Sequence, residues 1–167
     1  EAFLRAVSVP RRGLGETSLG TLARQAGTWS KSLLETARIA GTIQELRPNV
    51  REAFQTFATF IDRAAESARH LPPADVLEQI IRAVDYEAML QAEGPEGADR
   101  WENVRELVAS AANWSEVVAP DDEETGAPLE RFLAEAALLS SHDSIEGADD
   151  GVTIMTLHTA KGLEWPV

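Results

Sequence analysis

The chain has 167 residues, 44% of them hydrophobic, with 28 acidic against 15 basic side chains and a formal net charge of −13. That length and apolar content suit one or two compact domains, with a core sizeable enough to need neither metal nor disulfide. Cysteine is absent, which excludes disulfides, thiolate zinc sites and a cysteine nucleophile, and which agrees with a reducing, cytoplasmic compartment. No apolar run approaches the roughly 20 residues that cross a bilayer, and the amino end lacks signal-peptide character, so a soluble protein with no membrane partner is expected. The charge is uneven: residues 1–70 hold 10 basic and 7 acidic side chains, whereas residues 71–167 hold 5 and 21. A polyanion would be met by the first part and repelled by the second. Most of the acidic part reads as a solvated surface.

Helical periodicity dominates and predicts a mainly α fold, a compact set of helices. Short helices are expected over residues 18–26 and 29–40. Val50, Phe54, Phe57, Ile61, Ala64 and Ala68 then recur at spacings of three and four, giving a long amphipathic helix. Pro48 suits its first turn, where a missing N–H costs little. A second helix with Leu77, Ile80, Ile81 and Val84 on one face starts after Pro72 and Pro73. A third is expected from about Asp99, with Glu102 three residues on as in a capping box. Its stripe is Trp101, Val104, Leu107, Val108, Ala111 and Val118. A fourth, entered through Thr125 and Pro128, presents Leu129, Phe132, Leu133, Ala136 and Leu139. Residues 93–97 read as a turn, and residues 121–126 and 141–151 as acidic loops.

The pattern changes at the end. Val152, Thr153, Ile154, Met155, Thr156 and Leu157 are apolar or threonine on both faces, which predicts a buried strand. A lone buried strand would leave its backbone groups unpaired. The expectation is therefore a short C-terminal β segment belonging to an adjoining domain, and a chain that is a helical piece of a larger protein. The strand runs into a polar turn with His158, Thr159, Lys161, Gly162 and Glu164. Such a turn at a strand end suits a phosphate or a ribose, and on these grounds alone is equally a plain turn.

A second candidate lies near the start. Arg11 and Arg12 precede Gly13-Leu14-Gly15, and Thr17 or Ser18 is placed to cap a helix. Glycines allow close backbone approach, and free amides at a helix start favour an anion. The arrangement resembles a helix-hairpin-helix phosphate clamp, which holds duplex backbone without reading sequence. On the residues alone it is also a plain glycine turn with solvated arginines. Glu16 is a departure, since a carboxylate beside a phosphate weakens the contact unless it points away.

Residues 156–166, TLHTAKGLEWP, resemble motif V of the UvrD, PcrA and Rep family of superfamily 1 DNA helicases at eleven consecutive positions. Other segments resemble the same family in order. Arg11-Arg12-Gly13-Leu14-Gly15 is similar to the R-G-I-G element that opens its accessory 2B domain, and Arg100-Trp101-Glu102-Asn103-Val104 to an R-x-E-N segment on a long 2B helix. Phe132-Leu133, Ala137-Leu138 and Asp143 resemble the stretch before motif V. The resemblance implies an exit segment from a RecA-like motor domain over 1–10, a helical 2B-like domain over 11–150, and motif V returning to the motor domain over 151–167. It implies an ATP-dependent 3′–5′ DNA helicase of repair or replication, using ATP and Mg²⁺. The partners it implies are DNA at a duplex and single-strand junction, the motor domains, and repair or replication proteins.

By the same resemblance, Arg11, Arg12, Gly13, Gly15 and Thr17 hold duplex phosphates, Thr156 and His158 touch single-stranded DNA, and Gly162 and Glu164 lie near the nucleotide ribose. Lys161 matches the motif as well, and Trp165 stands where many relatives have Phe. The chain has no G-x-x-x-x-G-K-[ST] loop, no acidic strand of the Walker B kind and no arginine finger past motif V. By itself it is expected not to hydrolyse ATP, and no catalytic or metal-ligating residue is assigned. A competing expectation is a protein-docking or autoinhibitory module whose acidic second half offers the surface. Trp101 reads as core and Trp114 as either core or a base-stacking platform. Arg100 and Asn103 read as helix-surface groups, His70 and His142 lack metal spacing, and Asp121 to Glu124 read as solvated.

Overall fold

The structure, a computed structural model, describes residues 1–117 and 126–142. Their regular elements are all helical: α1 (Ala2–Ser8), α2 (Glu16–Trp29), α3 (Leu33–Arg38), a 3-10 turn (Ala40–Thr42), α4 (Pro48–Ala68), α5 (Pro73–Ala83), α6 (Tyr86–Gln91), α7 (Pro95–Val117) and α8 (Pro128–His142). The mainly α expectation holds for these residues. The expected β segment over 152–157, the motif V turn and the acidic loop residues 121–124 lie outside the described residues.

Helix α4 organises the first group. Pro48 occupies its first turn, as its missing N–H allows. Val50, Phe54, Phe57 and Ala58 are buried along one face, while Ile61, Ala64 and Ala68 are half-buried. Phe54 belongs to a cluster with Leu22 of α2, Ala37 of α3, Ala40 of the 3-10 turn, and Ile43 and Leu46 from the segment before α4. The stretch 29–40 is not one helix, contrary to expectation. Ser30 adopts a left-handed conformation (φ 51°) that ends α2. Ser32 then starts α3 with a capping box: its hydroxyl accepts from the Glu35 N–H at 3.2 Å, and its own N–H donates to the Glu35 carboxylate at 2.8 Å.

Helix α5 packs against both α4 and α7, and so joins the first group to the second. Val76 is buried on α5, and Leu77 packs into a smaller cluster of Ala74, Ala111 and Phe132. Asp85 (φ 50°) breaks the chain between α5 and the six-residue α6, which is too short to show a periodicity in the sequence. The expected capping box at Asp99 is absent. Helix α7 starts four residues earlier at Pro95, after Gly94 (φ 79°), so Asp99 already lies inside it. Only Gly fits at position 97, because a Cβ there would overlap the Leu90 carbonyl oxygen. Leu107 and Leu133, expected on buried stripes, are 48% and 55% exposed. Val118 and the Leu139 side chain lie outside the described residues.

Candidate nucleic-acid interface

The segment between α1 and α2 forms an elbow. Val9 and Pro10 leave α1, Gly13 turns the chain with φ 70°, and Gly15 is the N-cap of α2. That positive φ is costly for any residue with a Cβ. Neither Thr17 nor Ser18 is the cap: the helix begins before both, and no side chain bonds its start. The expected cap is thus corrected by a glycine that supplies the extended conformation without an oxygen. The Leu19 N–H donates to the Gly15 carbonyl at 3.0 Å, leaving the amides of Glu16, Thr17 and Ser18 with no acceptor inside the helix. Thr17 and Glu16 are exposed, and Leu14 packs on the first core cluster.

The two arginines part company here. Arg11 is exposed. Arg12 turns inward, and its Nη1 donates to the carbonyls of Ala6 (3.1 Å), Val7 (3.2 Å) and Pro10 (2.9 Å). Its guanidinium lies 4.9 Å from the centre of the Phe57 ring, which Phe3 meets edge-on at 5.3 Å. Burial pulls the Arg12 pKa below the ordinary arginine value, and arginine remains charged at neutral pH nonetheless. Ala6 and Val7 lie in the last turn of α1, whose carbonyls have no helical donor and carry the negative end of its dipole. A recess of about 480 Å³ opens beside this elbow, lined by Val7, Ser8, Arg11, Arg12, Gly13, Leu14 and Gly15. An exposed guanidinium, unoccupied amides and a concave backbone suit a phosphate group.

Residues 1–167 match the profile of the UvrD-like helicase C-terminal domain. The chain belongs to that family. It is 34% identical over 171 residues to the ATP-dependent DNA helicase PcrA of Leuconostoc citreum, covering 99% of this chain and 22% of the relative. It is 31% identical over 166 residues to DNA helicase II of Escherichia coli, covering 99% of this chain and 23% of that protein. PcrA of Bacillus subtilis is 31% identical over 173 residues, with 99% and 22% covered. The chain therefore spans less than a quarter of the length of these relatives.

Elsewhere in this UvrD-like domain, Trp114, Arg100 and His70 are engaged in its own structure. Trp114 meets Phe132 edge-on at 5.7 Å, its Nε1–H donates to Glu135, and the Arg131 guanidinium lies 5.8 Å from its ring. It is half-buried and packs against the second cluster, in the contact between α7 and α8. Trp101 is half-buried beside α5. Arg100 pairs with Glu93, and His70 lies 3.4 Å from Glu66, which also holds Arg69 at 2.9 Å. Asn103 is exposed. Thr156, His158, Lys161, Gly162, Glu164 and Trp165 lie outside the described residues, as does the His142 side chain. No described helix is long and apolar enough to cross a membrane. The inward turn of Arg12 is the feature that sequence reasoning missed, because its partner Phe57 is remote in the chain and reads there as ordinary core.

Proposed function

We propose that this chain is the duplex-contacting accessory domain, 2B-like over residues 11–150, of an ATP-dependent 3′–5′ DNA helicase of repair or replication. Residues 1–10 and 151–167 then join it to a RecA-like motor domain. ATP and Mg²⁺ act in the motor domains of the longer protein, since this chain carries no phosphate loop. Gly162 and Glu164 approach the nucleotide from motif V, and Thr156 and His158 touch the single strand. The duplex grip is the elbow, with Gly13, Gly15 and Thr17 presenting backbone to the phosphates and the two arginines serving it. The observation that carries this reading is an exposed Arg11 beside three amides that α2 leaves free. Such a grip is independent of base sequence and sensitive to salt.

Fluorescence anisotropy of the full-length protein on blunt duplex, on single strand and on a tailed duplex, across a salt series, tests the reading. A grip of this kind binds duplex at roughly 10⁻⁴ to 10⁻⁶ M and fades as salt rises. The double variant Arg11→Ala with Arg12→Ala should lose that duplex-dependent affinity and unwind less. Wild-type duplex affinity and unwinding in the double variant would remove the elbow from the reading.

A second reading, a protein-docking or autoinhibitory module, is favoured by α8, where Leu133 and Leu138 are 55% and 61% exposed on a helix that also carries Glu130 and Glu135. Unwinding that rises after Leu133→Ser with Leu138→Ser, with duplex affinity unchanged, supports that reading.

A further inference from the structure

We infer that Arg12 is a positioning residue for the duplex grip and not one of its phosphate ligands. The inference rests on the reading of the elbow as that grip, and it divides the labour between two adjacent arginines that look equivalent in sequence. Arg12 has its Nη1 within 3.2 Å of three carbonyl oxygens, those of Ala6, Val7 and Pro10. Two N–H vectors thus serve three acceptors, and two of those acceptors belong to the end of α1. The guanidinium face is also occupied, by the Phe57 ring. Phe57 is 2% exposed on α4, so Arg12 ties the elbow to both the helix that precedes it and the helix at the centre of the core. A phosphate drawn to this guanidinium would have to compete with those carbonyls and with a stacked ring.

Among the described residues Arg11 makes no such contacts: it is exposed at the recess that Arg12 helps to line. The consequence is that Arg12 sets where Gly13, Gly15 and the start of α2 stand, and Arg11 delivers the charge. Removing either one then costs the same phosphate contact. Removing both costs no second one.

The test is the slope of log affinity against log salt for blunt duplex, measured on the full-length protein below its unfolding temperature, with folding checked by circular dichroism. Each phosphate contact contributes about 0.9 to that slope. Arg11→Ala, Arg12→Gln and the double variant should each lose about 0.9, a non-additivity that general destabilisation does not produce. A loss of about 1.8 in the double variant makes Arg12 a ligand and overturns the inference. A wild-type slope in Arg12→Gln beside a reduced one in Arg11→Ala overturns it too. A wild-type slope in Arg11→Ala instead overturns the grip reading itself. Should Arg12→Gln fail to fold, Arg12→Met keeps the unbranched stem against Phe57 and gives the three carbonyls no donor. Its slope should match that of Arg11→Ala, and a wild-type slope would refute the positioning role.

Discussion

The two groups of helices share a periodicity but not a depth of burial. Around α4, eight residues from α2, α3, the 3-10 turn, the segment after it and α4 itself close into one buried cluster that includes Phe54. Around α7, among the described residues, only Ala74, Ala111 and Phe132 form the corresponding cluster, and Leu107 and Leu133 stay open to solvent. Residues 1–70 hold 10 basic and 7 acidic side chains, whereas the described residues after them hold 4 basic and 12 acidic. A weakly basic group of helices thus underlies the elbow, and the acidic helices join it through α5. An apolar stripe states what a helix offers to bury; whether it is buried depends on how many neighbours arrive to cover it.

The sharpest way to break this comparison is to empty each cluster in turn. Phe54→Ala should cost about 3–5 kcal/mol in chemical unfolding, the usual range for a fully buried Phe. Phe132→Ala should cost less, because its cluster is smaller and nearer to solvent. Equal losses would mean that the second core is as tight as the first. A smaller effect concerns the starts of helices in the first group. Ser32→Ala removes one half of the capping box and should cost about 1 kcal/mol.

Acid probes the same region. The Ser32 backbone N–H, with its hydroxyl, holds the Glu35 carboxyl below its ordinary range, and the two-point hydrogen bond from Arg38 does the same for Asp62. Folded-state values that are depressed give stability that is complete above the unfolded carboxylate range of about 4. That stability is lost as pH falls through the lower folded values. Both groups are exposed, so the effect is small. Asp62→Asn and Glu35→Gln should flatten the acid limb of a stability–pH curve, and an unchanged limb would show that neither pair contributes.

The smallest expected effect sharpens the electrostatic side of the comparison. Glu16 is the acidic residue in the first turn of α2, exposed beside the free amides. Its carboxylate favours the helix start but opposes a phosphate there. Glu16→Gln should tighten duplex binding by roughly twofold, about 0.5 kcal/mol, in keeping with an exposed charge. Weaker binding in that variant would place Glu16 away from the bound backbone.

Much of this molecule was determined by sequence alone. Pro48 marks the start of α4 because proline is tolerated in a helix's first turn, and α5, expected after the Pro72 and Pro73 pair, takes in Pro73 for the same reason. The three-and-four spacing around Phe54 names the core face of α4. The glycines of the elbow were legible for the same reason, since Gly13 holds a conformation that its neighbours would resist. Other features were decided only by tertiary structure. The break at Ser30 lets α3 pack on both α2 and α4, and the short α6 with the early start of α7 goes with the turn that brings α7 against α5. The parting of Arg11 from Arg12 is the clearest case. Local rules act within about one helical turn, whereas the ring that holds Arg12 lies 45 positions away on α4. Two like charges side by side say that a phosphate is welcome. Only the packing of α1 against α4 says which of them is free to meet it.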